Sequence, residues 1–390
     1  MISLLAAVIL SPVAFSEKLD SGAWIVAVPI KGAISFSAQT FIRAGSVFET
    51  ADINGATHLL EHLLFADGRA DMIAENAGFL LNATTYREFM RLHGTGPAAE
   101  WRSGIEAVKL LLEGPDLSKI AREANVVLQE DKLARLDPDE RIHRSLWRSA
   151  APNSAWALLP VGDWDRVVSL QAPTLSSLFS RHFTGRNVVA VVSGDFDSQD
   201  ALAALRKVYA SLAPGELQSA PALPATDLDS TSVFPSEERV GVSFPMPGHD
   251  KLRLFLAYEI VIDAMMSPDR LEPLGLAARS FTGPSSRGSF ACLSFRSADA
   301  APGLEGRVSK LLTSMKGGIS AAEIHAGKSK LGARYGAAAP QDAALMTGLA
   351  LLFLDRDVSF GAEIEKVTDA DIQKAAAALS PENIGWSIAR

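Results

Sequence analysis

The 390-residue chain has a single cysteine, Cys292, which excludes an internal disulfide framework and any zinc site built from thiolates. A metal, if the chain holds one, must sit on histidine and carboxylate. Histidine is itself scarce, at seven residues, and tyrosine scarcer, at four: Tyr86, Tyr209, Tyr258 and Tyr335. There is no block of Lys and Arg, and the net charge of -8 argues against nucleic acid or an anionic membrane surface as partner. Beyond the N-terminus, no stretch reaches the about 18–20 apolar residues that a membrane span needs, so no stable membrane insertion is expected. With 48% hydrophobic and 21% charged residues, the chain can bury the cores of two domains.

Residues 1–16 form an apolar run closed by Ala14-Phe-Ser16, the small residues that a signal peptidase inspects. No Lys or Arg precedes that run. The expectation is a signal peptide cut after Ser16 and a periplasmic or secreted protein; without cleavage the run becomes a first core element and the chain stays cytoplasmic.

The richest local pattern is Gly55-Ala-Thr-His58-Leu-Leu-Glu61-His62-Leu-Leu-Phe65. His58 and His62 are four apart, so on a helix they project from one face and can reach one ion. Glu61 puts a carboxylate beside them. The surrounding leucines predict a helix buried nearly all round, where polar groups need partners. Zinc accepts imidazole nitrogen and keeps a position for water in catalytic sites, which a neighbouring carboxylate can deprotonate, so the pattern points to a zinc peptidase. Two histidines leave that site incomplete. A helix over residues 118–136 carries Glu123 and Glu130 seven apart on one face, and either is a candidate for the third ligand.

Val, Ile and aromatic residues predict strands over 22–29 and 34–43, then a helix near 70–77 and strands over 78–85 and 86–96. Helices are expected over 100–113, 174–183 and 198–211, with a strand at 187–193 buried on both faces. Residues 213–236 are rich in Pro, Ala, Ser and Asp without periodicity and read as a linker. The close of the chain repeats the helix, turn and strand that close the first half, which suggests duplication. The expected fold class is therefore α+β, with two duplicated domains over 17–212 and 237–390, each an antiparallel or mixed sheet with helices on one face.

Arg43-Ala-Gly-Ser46-Val-Phe-Glu49, the His58 to His62 motif, Asn82-Ala83-Thr84-Thr85 and Arg122-Glu123 through Glu130 together resemble the pitrilysin/insulinase family of inverted zinc peptidases. Size and two-domain form are closest to the subfamily of mitochondrial processing peptidase and its bacterial relatives. The resemblance is specific in the first half and weak in the second. It implies that each chain is half of a peptidase clamshell, that His58, His62 and Glu130 bind Zn2+, and that Glu61 is the general base. It also implies that Glu123 supports a ligand. Asn82 and Ala83 then belong to an edge strand that pairs with an extended peptide substrate.

One departure concerns the second half. Active single-chain relatives place there an Arg and a Tyr that hold the substrate carbonyl. The matching run Arg270-Leu-Glu-Pro-Leu-Gly275-Leu-Ala-Ala278-Arg279 has Ala278 where Tyr is expected, and Arg279 and Arg287 read as ordinary surface or interface residues. The expectation is a zinc-bearing endopeptidase subunit of a heterodimer, whose paralogous partner supplies the Arg/Tyr clamp. A silent scaffold subunit and a self-sufficient homodimer are the alternatives. His93, His143, His182, His249 and His325 lack ligand spacing, and Trp147, Trp156, Trp164 and Cys292 read as core or interface residues.

Overall fold

The computed structural model describes residues 14–224, 233–234, 239–299, 302–335, 339–356, 358, 360–379 and 385–389. Its first sheet is built from the Val- and Phe-rich segments of the first half. These are β1 (Phe15–Lys18), β2 (Trp24–Pro29), β3 (Ser35–Ile42), β4 (Leu80–Thr85), β5 (Met90–Pro97) and β6 (Val188–Gly194), in the order β1-β2-β6-β3-β5-β4. All seven residues of β6 are buried, as the unbroken Val-Val-Ala-Val-Val run demands. The second sheet holds β7 (Val233–Phe234), β8 (Arg239–Pro247), β9 (Leu276–Thr282), β10 (Gly288–Ser297) and β11 (Gly385–Ala389), ordered β7-β11-β8-β10-β9. With β1 set aside the two orders coincide. So do the pairings: β2 with β6 and β7 with β11 are parallel, and every other neighbour is antiparallel.

The helices follow the same duplication. Between β3 and β4 lie α1 (Ala56–Phe65) and α2 (Arg69–Asn76). Between β5 and β6 lie α3 (Trp101–Leu111), α4 (Ile120–Ala134), α5 (Pro138–Ala150), α6 (Trp164–Val167) and α7 (Ala172–His182), and α8 (Ser198–Tyr209) follows β6. In the second half α9 (Leu252–Met265) and α10 (Pro268–Leu271) precede β9. After β10 come α11 (Leu304–Met315), α12 (Ala321–Tyr335), α13 (Pro340–Leu354), α14 (Phe360–Glu365) and α15 (Asp369–Ala378).

Each half packs its own helices on one face of its sheet, and the opposite face is covered by one helix from the other half. Helix α5 lies on β8, β10 and β11, while α13 lies on β2, β3 and β6. The sequence reading missed both. Helix α5 is announced by Asp137, which caps the N–H of Asp139, and by Pro138 in the first turn. Helix α13 is apolar almost all round, because it is buried between its own half and the first sheet, where Ala344, Leu351 and Leu352 meet Val26, Phe41 and Val191. Each such buried leucine contributes about 1.5–3 kcal/mol, so apolar burial locks the halves together. Both contacts need a residue without a side chain. A Cβ on Gly348 of α13 would stand 2.0 Å from Phe41, and one on Gly241 of β8 would stand 2.3 Å from Ile142 of α5.

Polar bonds reinforce the junction. The buried carboxylate of Glu88 accepts from the Ser285 hydroxyl at 2.5 Å and from the Ser286 N–H at 3.0 Å. Residues 213–224 fold back on the first half, where the Arg186 N–H donates to the Pro214 carbonyl at 3.1 Å and the Trp156 indole to that of Pro221 at 3.2 Å. The rest of the expected linker, apart from 233–234, and residues 1–13 of the expected signal lie outside the described residues. The expected cut after Ser16 falls within β1, whose Phe15 and Ser16 pair with Ala27 and Val26. Among the described residues no single helix is long and apolar enough to cross a membrane.

Candidate metal centre

Helix α1 is fixed at its start by a buried carboxylate. Glu49 accepts from the N–H groups of Gly55 at 2.8 Å and Thr57 at 2.7 Å and from the Asn54 amide at 2.9 Å. It thereby satisfies donors that the first turn leaves open. Leu59, Leu60, Leu63 and Leu64 are buried, and His58, Glu61 and His62 line a cleft of roughly 760 Å³. The four-residue spacing works as expected: the two imidazole rings lie 4.9 Å apart.

Helix α4 packs across α1 and brings both of its glutamates to the histidines. Glu130 Oε2 lies 3.3 Å from His62 Nε2 and 3.5 Å from His58 Nε2. One ligand atom from each of His58, His62 and Glu130 falls within 4.8 Å of the others, and among the described residues this is the one His/Cys/Asp/Glu group so placed. Two imidazole nitrogens and a carboxylate oxygen suit zinc and leave a fourth position for water or substrate. Glu123, buried, approaches the far nitrogen of His62 at 3.5 Å, a placement from which a carboxylate can orient an imidazole, and accepts from Arg122 Nε at 2.6 Å.

The site's electrostatics follow from its depth. Burial, with the neighbouring His62, pulls His58 down to about 4, which leaves its imidazole neutral and able to donate a lone pair at pH 7. Burial also acts to lower His62, but Glu130, Glu61 and Glu123 outweigh it and raise the ring above its usual value. The hydrogen bond from His62 in turn holds Glu130 below the carboxylate range. Burial raises Glu61, opposed by a hydrogen bond from the Thr85 hydroxyl at 2.5 Å. Raising a carboxylate toward neutrality is what a general base requires. Neither Thr85 nor Glu49 was assigned a role from sequence, although both stand in the segments that carry the family resemblance.

Asn82 and Ala83 lie on β4, the edge of the first sheet, and line the same cleft. The Ala83 N–H donates to the Asn82 side-chain oxygen at 2.8 Å. The run compared with the carbonyl clamp sits elsewhere in local structure. Arg270 is held by Glu323 at 2.5 Å, Arg279 by Asp137 at 2.9 Å, and Ala278 pairs with Phe295 inside the second sheet. None of the four tyrosines lies on β9. In the second half the helix pair α9 and α12, counterparts of α1 and α4, carries an ion-pair cluster instead, with Arg334 3.4 Å from both Glu259 and Asp263. The remaining histidines and tryptophans behave as expected: His182, His249, Trp147 and Trp156 are buried, as is Cys292.

Two duplicated α+β halves with one His-His-Glu group define half of a peptidase clamshell. Residues 31–153 match the family model described as insulinase (peptidase family M16), and residues 169–331 match the one described as the peptidase M16 inactive domain. The chain belongs to the M16 (insulinase) peptidase family. It is 26% identical over 211 residues to the mitochondrial-processing peptidase subunit beta of Lentinula edodes, covering 52% of this chain and 45% of that protein. An uncharacterized zinc protease of Streptomyces coelicolor is 24% identical over 199 residues, 49% of this chain and 43% of that one. The match thus spans less than half the length of these curated relatives. A protease from Helicobacter pylori has the same fold, with a TM-score of 0.85 at 18% identity over 98% of this chain and 100% of that chain.

Proposed function

We propose that this chain is a zinc-dependent endopeptidase subunit that hydrolyses peptides or unfolded segments, and that it works beside a paralogous partner. The observation that carries the reading is the convergence of His58, His62 and Glu130 on one point, next to a raised Glu61 held by Thr85. His58, His62 and Glu130 hold the metal, and Glu123 orients His62. Bound zinc supplies a polarised carbonyl and an acidified water. Glu61 accepts the proton from the attacking water and returns it to the leaving amine. An extended substrate adds to the free edge of β4 at Asn82 and Ala83, so backbone bonds give affinity with little sequence preference.

The partner is inferred from what the second half lacks. Ala278 stands where the resemblance expects Tyr and none of the four tyrosines lies on β9, so a second subunit supplies the Arg/Tyr pair for the substrate carbonyl. Export to the periplasm or outside the cell is part of the same reading, resting on the apolar run before Ser16.

Metal analysis and turnover test the reading together. About one zinc per chain is expected, and Glu61→Gln should keep that zinc while turnover falls by about 10²–10⁴-fold. No zinc in any preparation favours a scaffold role. Full activity of the purified chain on a flexible peptide, with no partner added, removes the heterodimer and favours a homodimer.

A further inference from the structure

The catalytic cleft contains three arginines in its wall, and two are paired with carboxylates. Arg144 holds Asp131 and, at 2.8 Å, Glu140, and Arg122 holds Glu123. Arg87 differs. It is the second residue after β4, two beyond the Thr85 that binds Glu61, and among the described residues no carboxylate pairs with it. Its Nε donates to the Trp156 carbonyl at 3.2 Å, its guanidinium lies 3.7 Å over the Trp147 ring, and its Nη2 is buried with no hydrogen-bond partner. Burial lowers the Arg87 guanidinium to about 10. Glu140 favours the charged form from a distance, but a buried cation with no carboxylate bonded to it stays costly unless an anion arrives to share the site.

Arg87 and His143 also wall a second cavity of roughly 200 Å³, which opens between the two halves and is lined further by Trp147, Trp156 and Phe281 and by Glu88, whose carboxylate is taken up by Ser285 and Ser286. His143 stacks on Phe281 with ring centroids 4.7 Å apart and accepts from the Trp147 indole at 3.0 Å, so the wall is rigid. The main cleft and the side cavity therefore meet at a cation whose free N–H has no internal use.

We propose that Arg87 is a substrate-recognition residue that binds a carboxylate of the peptide lying along β4, either an acidic side chain or a free C-terminus close to the scissile bond. This rests on the peptidase reading above. A peptide added to the edge of β4 passes Thr85 and reaches Arg87 next. A guanidinium forms an ion pair with a carboxylate, often through two parallel N–H bonds, whereas a neutral amide offers it a single uncharged oxygen.

The test compares peptides identical except for Glu against Gln at each position beside the cleaved bond, each with a free or an amidated C-terminus. Their binding to the Glu61→Gln chain is read by fluorescence anisotropy, and their cleavage by the unsubstituted chain together with its partner. Carboxylate peptides are expected to bind about tenfold or more tightly than their amide counterparts. Loss of the gain on C-terminal amidation assigns the terminus; its persistence assigns the side chain. Arg87→Met should erase the preference, read as the ratio of carboxylate to amide affinity within the same variant so that any general loss cancels, and Arg87→Lys should retain part of it. The proposal is overturned by peptides that bind and are cut without any carboxylate preference, by a preference that survives Arg87→Met, or by an equal loss on all peptides. Failure of every peptide to bind or be cut removes the peptidase reading itself, and the proposal with it.

Discussion

The Thr85 hydroxyl donates to Glu61 Oε2 at 2.5 Å, so the edge strand β4 also fixes the carboxylate that stands beside the His-His-Glu group. On the proposed reading, the position of the substrate and that of the base are coupled through these two residues on different elements. The hydroxyl opposes the burial that raises Glu61.

Thr85→Val keeps the shape of the side chain and removes the donor. The carboxylate loses a hydrogen bond to its charged form, so Glu61 moves further up from its ordinary value. Because the base acts when deprotonated, the acidic limb of the kcat/KM profile should shift to higher pH. The loss should then be larger at pH 6 than at pH 8. An equal loss at both would point to misplacement of Glu61 rather than to its titration.

Glu123 stands behind His62 rather than at the metal position. Glu123→Gln retains a hydrogen-bonding group but removes the carboxylate that faces His62 Nδ1, the acceptor that sets the tautomer and orientation of the ring. Zinc affinity should fall by about 10–100-fold, read by competition with a chromophoric chelator, while stoichiometry at saturating zinc stays at one per chain. Glu130→Gln should do more damage, since it changes a ligand. Equal effects of the two substitutions would show that Glu123 and Glu130 do not differ in role.

Much of this site is local, and local patterns are readable. His58, His62 and Glu61 depend on the pitch of one helix, and Glu123 with Glu130 on the pitch of another, so spacing alone put each set on a shared face. Choosing Glu130 over Glu123 as the metal-facing carboxylate took the family resemblance, because the choice turns on how α4 crosses α1. Thr85 and Arg87 were out of reach for a related reason. Their partners, Glu61 and Trp147, lie on other elements, and nothing in Thr84-Thr85-Tyr86-Arg87 records those neighbours. The duplication was visible in the closing helix, turn and strand of each half. The exchange of α5 and α13 was not, because periodicity reports which face of a helix is apolar and not which sheet it covers.

That exchange can be probed at its two glycines. A side chain on Gly348 collides with Phe41, and one on Gly241 with Ile142, so Gly348→Val or Gly241→Val must push a covering helix off its sheet. Overpacking of this kind costs about 1–3 kcal/mol or more and should lower the melting temperature clearly in either variant. Gly332→Ala, within α12 and with nothing within 4 Å of its Cβ, serves as the control. It should be neutral or stabilise by up to about 1 kcal/mol, since alanine is the better helix former. A glycine pair that tolerates valine as Gly332 tolerates alanine would rule out the tight helix-on-sheet contact.

Glu140 gives the structure a definite acid sensitivity. Burial acts to raise it, but hydrogen bonds from His143 and Arg144 dominate and hold it down at about 2. Its folded value therefore lies below the ordinary 4.5. A depressed carboxylate stabilises the folded chain fully above its unfolded value, and that stabilisation is lost as pH falls from about 4.5 toward 2. Glu140→Gln lacks the titration. At pH 7 the variant should be less stable than the unsubstituted chain by on the order of 2 kcal/mol, because Arg144 loses one of its two carboxylates. The gap should narrow steadily as urea denaturation is repeated from pH 5 down to pH 3. A gap that stays constant across that range would mean that Glu140 is held by its shape and hydrogen bonds alone, with no contribution from its charge.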